Sequence, residues 1–363
     1  MAWRRFLDDL SWLCDNKHGG ETVSAVAAQD LPEGIKFWLV SKHKASFHHL
    51  EWVLAELKTA QEQSDEGATA LALRVTVNSI HFSKNKVKNY RRFLKLALAK
   101  AKEIRIACIK RQLTFTDVRR ECLFNELEAL TQITGDPIAI CRAAKQFSQW
   151  KLLARLLRSH SSLETRSPWA SLWHYIGRLG CWFGKCEGLV LTAPDLASAL
   201  KRMLPADQKS LARELYEQLA NLRLYSIPQS FSENFTDDRL MGRVHAEVFL
   251  MEQFFFNKFR FCGGEKYIGC SKPCCYCCSL YIRFHPGNFV LRPAHNIVYV
   301  TWIPPLMAGL NEESKRKHNL DIMNQMNAYI RRDIKEEIEE RMPRREKAPD
   351  STSGVNLLSF LSQ

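Results

Sequence analysis

The spacing of apolar residues along this chain changes period several times. Residues 2–16 carry them at helical spacing, and this helix ends near Gly19-Gly20. Strand character follows over residues 21–42. Thr22–Ala28 is small and β-compatible, Leu31-Pro32-Glu33-Gly34 has turn chemistry, and Ile35–Val40 is an apolar β-run, which together predict a hairpin. From His49 to about Leu224 the helical period returns, with helices expected over His49–Lys58, Lys88–Lys110, Thr116–Gln132 and Ile138–Arg158. Asp136-Pro137 supplies an N-cap and a first-turn proline to the last of these, whereas Ala68–Ile80 fits helix or strand equally. Leu211, Leu215, Leu219 and Leu222 form a core stripe, and Trp169, Trp173, Tyr175, Cys181, Trp182 and Cys186 read as packing. A polar loop over Ser226–Arg243 leads into a buried-type helix, Val248–Phe256, then a short β-run, Lys266–Gly269. A helix entered at Pro273 and stopped at Pro286-Gly287 comes next, then a strand over Asn296–Trp302 and a charged helix over Asn311–Met342.

Composition narrows the class. With 363 residues, 46% hydrophobic and 25% charged, the chain can bury a large core in two domains, which excludes wholesale disorder. No run reaches the eighteen or so apolar residues of a membrane helix, so no membrane partner is implied. The opening MAWRRFLDDLSWLCDN has acids inside its apolar stretch and no cleavage pattern, so the expected location is intracellular, in cytoplasm or nucleus. Twelve cysteines in that setting point to reduced thiols and metal binding, and six of them lie between Cys262 and Cys278. The net charge of +13 is concentrated in Lys84–Arg111, where eleven Lys or Arg face one acid, Glu103. Such a run is either a solvated helix face or a surface for the phosphates of a nucleotide or single-stranded nucleic acid.

The candidate chemistry sits in the cysteine-rich region. His245-Ala246-Glu247 and Pro273-Cys274-Cys275-Tyr276-Cys277 together make an H-x-E…P-C-x-x-C pattern, that of zinc-dependent nucleobase deaminases. One imidazole and two thiolates can hold a tetrahedral Zn²⁺ and leave its fourth position open for water. The expected ligands are His245, Cys274 and Cys277, with Pro273 setting the helix register. Cys275 and Cys278 form a second, overlapping CxxC. Glu247, in the first turn of its helix, is the expected proton shuttle from water to the base and its departing amine. A lone H-x-E or CxxC is weak evidence; the ordered conjunction is much more specific.

The stretch VHAE…KYIGCSKPCCYC…PAHNIVYVTWIPP resembles the fungal branch of the deaminase-like superfamily, whose better-known relatives are bacterial toxin deaminases. The match falls on His245, Glu247, Ser271, Lys272, Cys274, Cys277, Trp302 and Pro304, and is strong over Arg239–Pro305. The resemblance implies an α/β fold, a three-layer cytidine-deaminase-like domain, here with a large, mostly helical N-terminal or inserted domain. By analogy with the family, the Lys272-Pro273 backbone accepts from the leaving amine; Ser271 is a further candidate substrate contact, and Trp302 either stacks on a bound base or serves as packing.

The expected organisation is an N-terminal helix (1–20), two sheet strands (21–44), a helical domain (45–235), the zinc-motif core (236–310), a charged helix (311–342) and a disordered tail (343–363). Two functions compete. One is zinc-dependent hydrolytic deamination of a cytosine- or adenine-type base in a nucleotide or nucleic acid. The other is an inactive deaminase-fold binding module with a structural zinc; Glu247 argues against it, because a structural metal needs no such carboxylate.

Overall fold

The computed structural model describes residues 2–19, 23–59, 65–110, 118–150, 167–203, 243–290, 292–299, 301–305 and 312–340. The leucine stripe over 211–222, most of the 226–243 loop and the tail beyond 340 lie outside them. The chain divides into two compact units, one comprising residues 1–15, 20–58 and 195–351, the other residues 16–19 and 59–194 with the chain's last twelve residues.

In the first unit, helix α1 (Ala2–Cys14) precedes strands β1 (Ala25–Asp30) and β2 (Ile35–Val40). These strands form an antiparallel hairpin in which Ala27 faces Trp38 and Ala28 faces Phe37. The turn closes through reciprocal bonds between Leu31 and Gly34. Strand β3 (Gly269–Cys270) pairs antiparallel with β1, with Ala25 opposite Cys270 and Val26 opposite Gly269, giving the sheet order β2-β1-β3. The hairpin therefore shares a sheet with the segment that carries the cysteine motif.

Alternation along the strands separates two apolar faces. Ala25, Ala27, Trp38 and Val40 join a core with helix α9 (Ala246–Phe256), where the Trp38 and Phe254 rings lie 6.1 Å apart. Phe37, on the other face, meets Trp3 and Phe6 of α1. Small residues fill β1 because a helix covers each side of it, and Val248–Met251 and Phe254 leave α9 buried nearly all round. A Cβ on Gly269 would stand 2.3 Å from the Leu7 carbonyl carbon, so only glycine lets β3 lie this close to α1. Helix α10 (Tyr276–Phe284) and the charged helix α11 (Glu312–Glu340) complete the unit, the latter burying Ile322 and Met326 in the same core. Helix α2 (Lys44–Thr59) and the short α8 (Ala197–Lys201) also belong to it.

The second unit is helical: α3 (Asp65–Phe82), α4 (Lys84–Lys110), α5 (Val118–Gln132), α6 (Pro137–Gln149) and α7 (Pro168–Thr192). Ala68–Ile80, ambiguous by period, is part of α3. Asp136 caps α6 by accepting from the Ile138 amide at 2.8 Å, with Pro137 in the first turn. Helix α7 packs against α3, α4 and α6. It buries Leu172, Ile176, Leu179, Trp182, Cys186 and Leu189 at helical spacing. Gly180 lets α6 approach closely, since a Cβ there would meet Lys145 backbone at 3.0 Å. No described helix is long and apolar enough to cross a membrane.

One expected element is absent among the described residues. Asn296–Trp302 forms no regular strand. Asn296 takes a positive φ of 56°, and the segment contributes isolated bridges, Arg243 with Trp302 and, just before it, Cys274 with Ala294. That turn at Asn296 breaks the extended run which Ile297, Val298 and Tyr299 suggest.

Candidate functional site

Two helix N-termini converge to build the site. His245 is the N-cap of α9, with φ −82° and ψ 146°, yet its side chain does not cap the helix. Cys275 is the N-cap of α10 and does: its Sγ accepts from the Cys278 amide at 3.3 Å. An N-cap and the third helical residue share one side of a helix end, so this cap sets both sulfurs on one face. His245 Nδ1 lies 3.5 Å from Cys275 Sγ and 3.3 Å from Cys278 Sγ.

These distances suit a metal. Zn–S of about 2.3 Å and Zn–N of about 2.0–2.1 Å at a tetrahedral angle put N and S about 3.5 Å apart. Among the described residues, His245, Cys275 and Cys278 form a group able to hold a metal ion, and no fourth His, Cys, Asp or Glu joins it.

The sulfurs gathered here belong to the overlapping CxxC, and not to the expected Cys274 and Cys277. The reason lies in the backbone. Cys274 is held extended: its amide bonds to Pro293 O and its carbonyl accepts from the His295 amide, both at 2.9 Å. The helix therefore begins at Tyr276, and Pro273 stands before a β-bridge instead of at the first helical position. With that register Cys277 points about 100° away from the line to His245. Burial and then the Cys275 charge push the Cys277 thiol up to about 12, and burial holds the Cys274 thiol well above its ordinary range.

The gathered thiols differ in character. A hydrogen bond from Cys278 lowers Cys275; burial opposes this, His245 reinforces it, and the outcome is about 6. Burial, and then the proton shared with Cys275, hold Cys278 well above its usual value. His245 is drawn down by burial but raised more by Cys275 and Glu247 together. The Trp302 indole N–H donates to Cys278 Sγ at 3.2 Å.

Glu247 lies in the first turn of α9 and is 4% exposed. The Cys270 thiol lies 3.9 Å from its Oε2. Of the expected substrate contacts, Ser271 is buried, its hydroxyl accepting from the Ser24 amide at 3.1 Å, so it fastens β3 to β1. The Lys272 carbonyl accepts from Arg292 Nη1 at 3.3 Å, and Pro273 is half-buried. Trp302 is mostly buried beside Tyr281, with its N–H committed to sulfur.

Sequence reading missed what holds this loop. Asp8 of α1 accepts from the Cys270 amide (3.1 Å), the Tyr267 hydroxyl (2.6 Å) and Arg292 Nη2 (2.8 Å). Arg292 Nη2 also donates to the Cys270 carbonyl at 3.1 Å. Arg292 thus turns inward and is 7% exposed. Only the pairing of α1 with the motif could have revealed it, and nothing in local sequence encodes that pairing.

A second buried group holds Glu252, His285 and His318. Glu252 Oε1 accepts from the Tyr281 hydroxyl at 2.6 Å and lies 3.1 Å from Nε2 of both histidines. His285 Nδ1 accepts from the Gly287 amide at 2.9 Å, so the proton of the neutral ring sits on Nε2. That nitrogen lies 3.1 Å from Glu252 Oε1 and, carrying the proton, has no lone pair for a metal. Burial would raise Glu252, but His285, His318 and Tyr281 outweigh it and hold the carboxyl at about 2. His295 likewise spends its Nδ1 on a backbone amide, that of Ile297.

Residues 244–306 match the family model of the OTT_1508_deam-like deaminases, about a sixth of the chain. The match begins at the residue before His245 and ends just beyond Pro305, so it spans His245, Glu247, Cys275, Cys278 and Trp302. Neither the curated proteins nor the solved structures contain a match to this chain.

Proposed function

We propose that this protein is a zinc-dependent hydrolytic deaminase acting on a cytosine- or adenine-type base, with His245, Cys275 and Cys278 holding the metal. The convergence of one imidazole nitrogen and two sulfurs at 3.3–3.5 Å, beside a buried carboxylate, carries this reading. The deaminase family match supports the reaction class. A helix on each face of the β2-β1-β3 sheet is consistent with a three-layer deaminase domain.

Zinc bound there supplies Lewis acidity that activates water at neutral pH. The protein's own residues do the rest. Glu247 takes the proton of the attacking water and returns it to the ring nitrogen and then to the departing amine, so that C–NH₂ plus H₂O becomes C=O plus NH₃. Its burial keeps competing solvent from the carboxylate. Trp302 orients Cys278 through the indole N–H, a partner outside the ligand set that fixes the thiolate. The Asp8–Arg292 pair holds the Cys270–Lys272 backbone, which lines the approach to Glu247.

The test measures ammonia released from cytosine and adenine nucleosides, nucleotides and single-stranded oligonucleotides, with zinc content in parallel. Wild type should carry one zinc per chain and release ammonia from at least one substrate. Glu247→Gln should keep the zinc and lose at least about 100-fold in rate, the lower range for a general acid–base residue. A zinc-loaded wild type inert on every substrate would favour the competing reading, a binding module on a deaminase scaffold.

A further inference from the structure

Helix α4 carries a charged face that the deaminase site does not use and that lies outside the matched residues 244–306. Lys84, Lys88, Arg92 and Lys95 are all exposed along it. At 3.6 residues per turn they fall within about 80° of arc and run roughly 17 Å along the axis. None of the four forms an ion pair among the described residues. Neighbouring cations on the helix are spent internally: Lys102 pairs with Glu128, and Arg91 donates to the Thr131 carbonyl. Helix α11 makes the contrast. It is as charged as α4, but acids interleave with its bases, as in the Lys335–Glu339 pair at 3.7 Å. A solvated helix normally mixes its signs in that way. Four like charges in a row repel one another, and an anionic partner removes that cost.

We infer that the Lys84–Lys88–Arg92–Lys95 face binds the phosphate backbone of single-stranded nucleic acid. The choice of a single strand rests on the deaminase reading, because a base paired within a duplex hides the atom to be attacked. Binding through phosphates is independent of base sequence and strongly salt-dependent. Four contacts to a single strand give a slope of log K against log salt of about −2.8.

The experiment is fluorescence anisotropy of the full chain with a labelled twenty-nucleotide oligothymidine across a salt series. Thymine has no exocyclic amine, so binding is read without turnover. Wild type should show a slope near −2.8, and a variant combining Lys84→Gln, Lys88→Gln, Arg92→Gln and Lys95→Gln should bring it close to zero. Glutamine removes the charge and keeps the helix propensity, and circular dichroism and zinc content report that the fold is retained. A control combining Arg316→Gln, Lys317→Gln, Arg331→Gln and Lys335→Gln on α11 should keep the wild-type slope. Absence of binding, an unchanged slope in the α4 variant, or tighter binding to duplex DNA or to phosphatidylserine vesicles would overturn the inference. Glu247→Gln should bind as wild type does. Deamination of free nucleosides without oligothymidine binding would sink this inference alone, and salt-dependent binding by a protein that deaminates nothing would sink only the deaminase reading.

Discussion

Replacing Cys278 with serine removes one of the three donors proposed for the metal, a sulfur 3.3 Å from His245 Nδ1. Structural zinc sites with four donors bind with about 10–16 kcal/mol, or about 3–4 kcal/mol per donor. Loss of one should therefore weaken zinc by two to three decades, at 1.4 kcal/mol per decade. Cys275→Ser should do at least as much, because Cys275 also caps α10 by accepting from the Cys278 amide. Cys274→Ser and Cys277→Ser are the informative controls. Cys274 is fully buried, and a hydroxyl in its place costs about 1–3 kcal/mol of stability if left unsatisfied. Its metal should nevertheless stay, as should that of Cys277→Ser. Zinc affinity by chelator competition, with thermal melts alongside, separates the two effects. Zinc lost from Cys274→Ser or Cys277→Ser and retained in Cys275→Ser and Cys278→Ser would refute the register and restore the one that Pro273 suggests.

Trp302→Phe keeps an aromatic ring and deletes the N–H on Cys278 Sγ; zinc affinity should fall 10- to 100-fold, as measured by the same competition. Glu252 should make the fold acid-sensitive. Its carboxyl, at about 2 against an ordinary 4.5, contributes about 3 kcal/mol, fully present above pH 4.5 and lost as pH falls towards 2. Glu252→Gln should be less stable at neutral pH and should flatten denaturant midpoints between pH 4.5 and 2; an unchanged slope there would count against the network. Gly269→Ala should cost about 1–3 kcal/mol or more, since the new Cβ meets the Leu7 backbone, and a wild-type melting temperature would show that β3 is not held against α1.

Much of this molecule is legible in the sequence, and the losses have physical causes. Period alone located α4, α6 and α9, because each buries an amphipathic stripe or a continuous apolar run. The polar-to-apolar change around them placed Glu247 in the first turn of α9, whereas His245 stands one residue earlier, as its N-cap. The structure gathers Cys275 and Cys278 beside His245 where the motif pointed to Cys274 and Cys277, because a proline before a CxxC is a helix start only when the next residues are free to coil. Here Cys274 is recruited into a bridge with Ala294, a tertiary contact with no local signal. The same holds for Asp8 and Arg292, whose partners lie 284 positions apart in the chain. The strand expected over Asn296–Trp302 failed for a related reason: its β-branched and aromatic residues pack as isolated contacts after a left-handed turn at Asn296.

The pairing of Val26 with Gly269 also sets a clock. A ribosome adding about 5–20 residues per second takes roughly 12–50 s to make the stretch between these two partners. From Val40 onward the hairpin is complete, but one edge of β1 has no neighbour and its Ala25–Ala27–Trp38 face has no α9 to cover it. Residues 59–194 emerge in the meantime and can close their own core. The nascent chain therefore passes through a stage with most of its helical unit made and an open, apolar sheet edge, the state most exposed to strand-to-strand aggregation. Slower synthesis between Gly34 and Gly269 should lengthen the exposure of that edge and lower the fraction of chains recovered in native form.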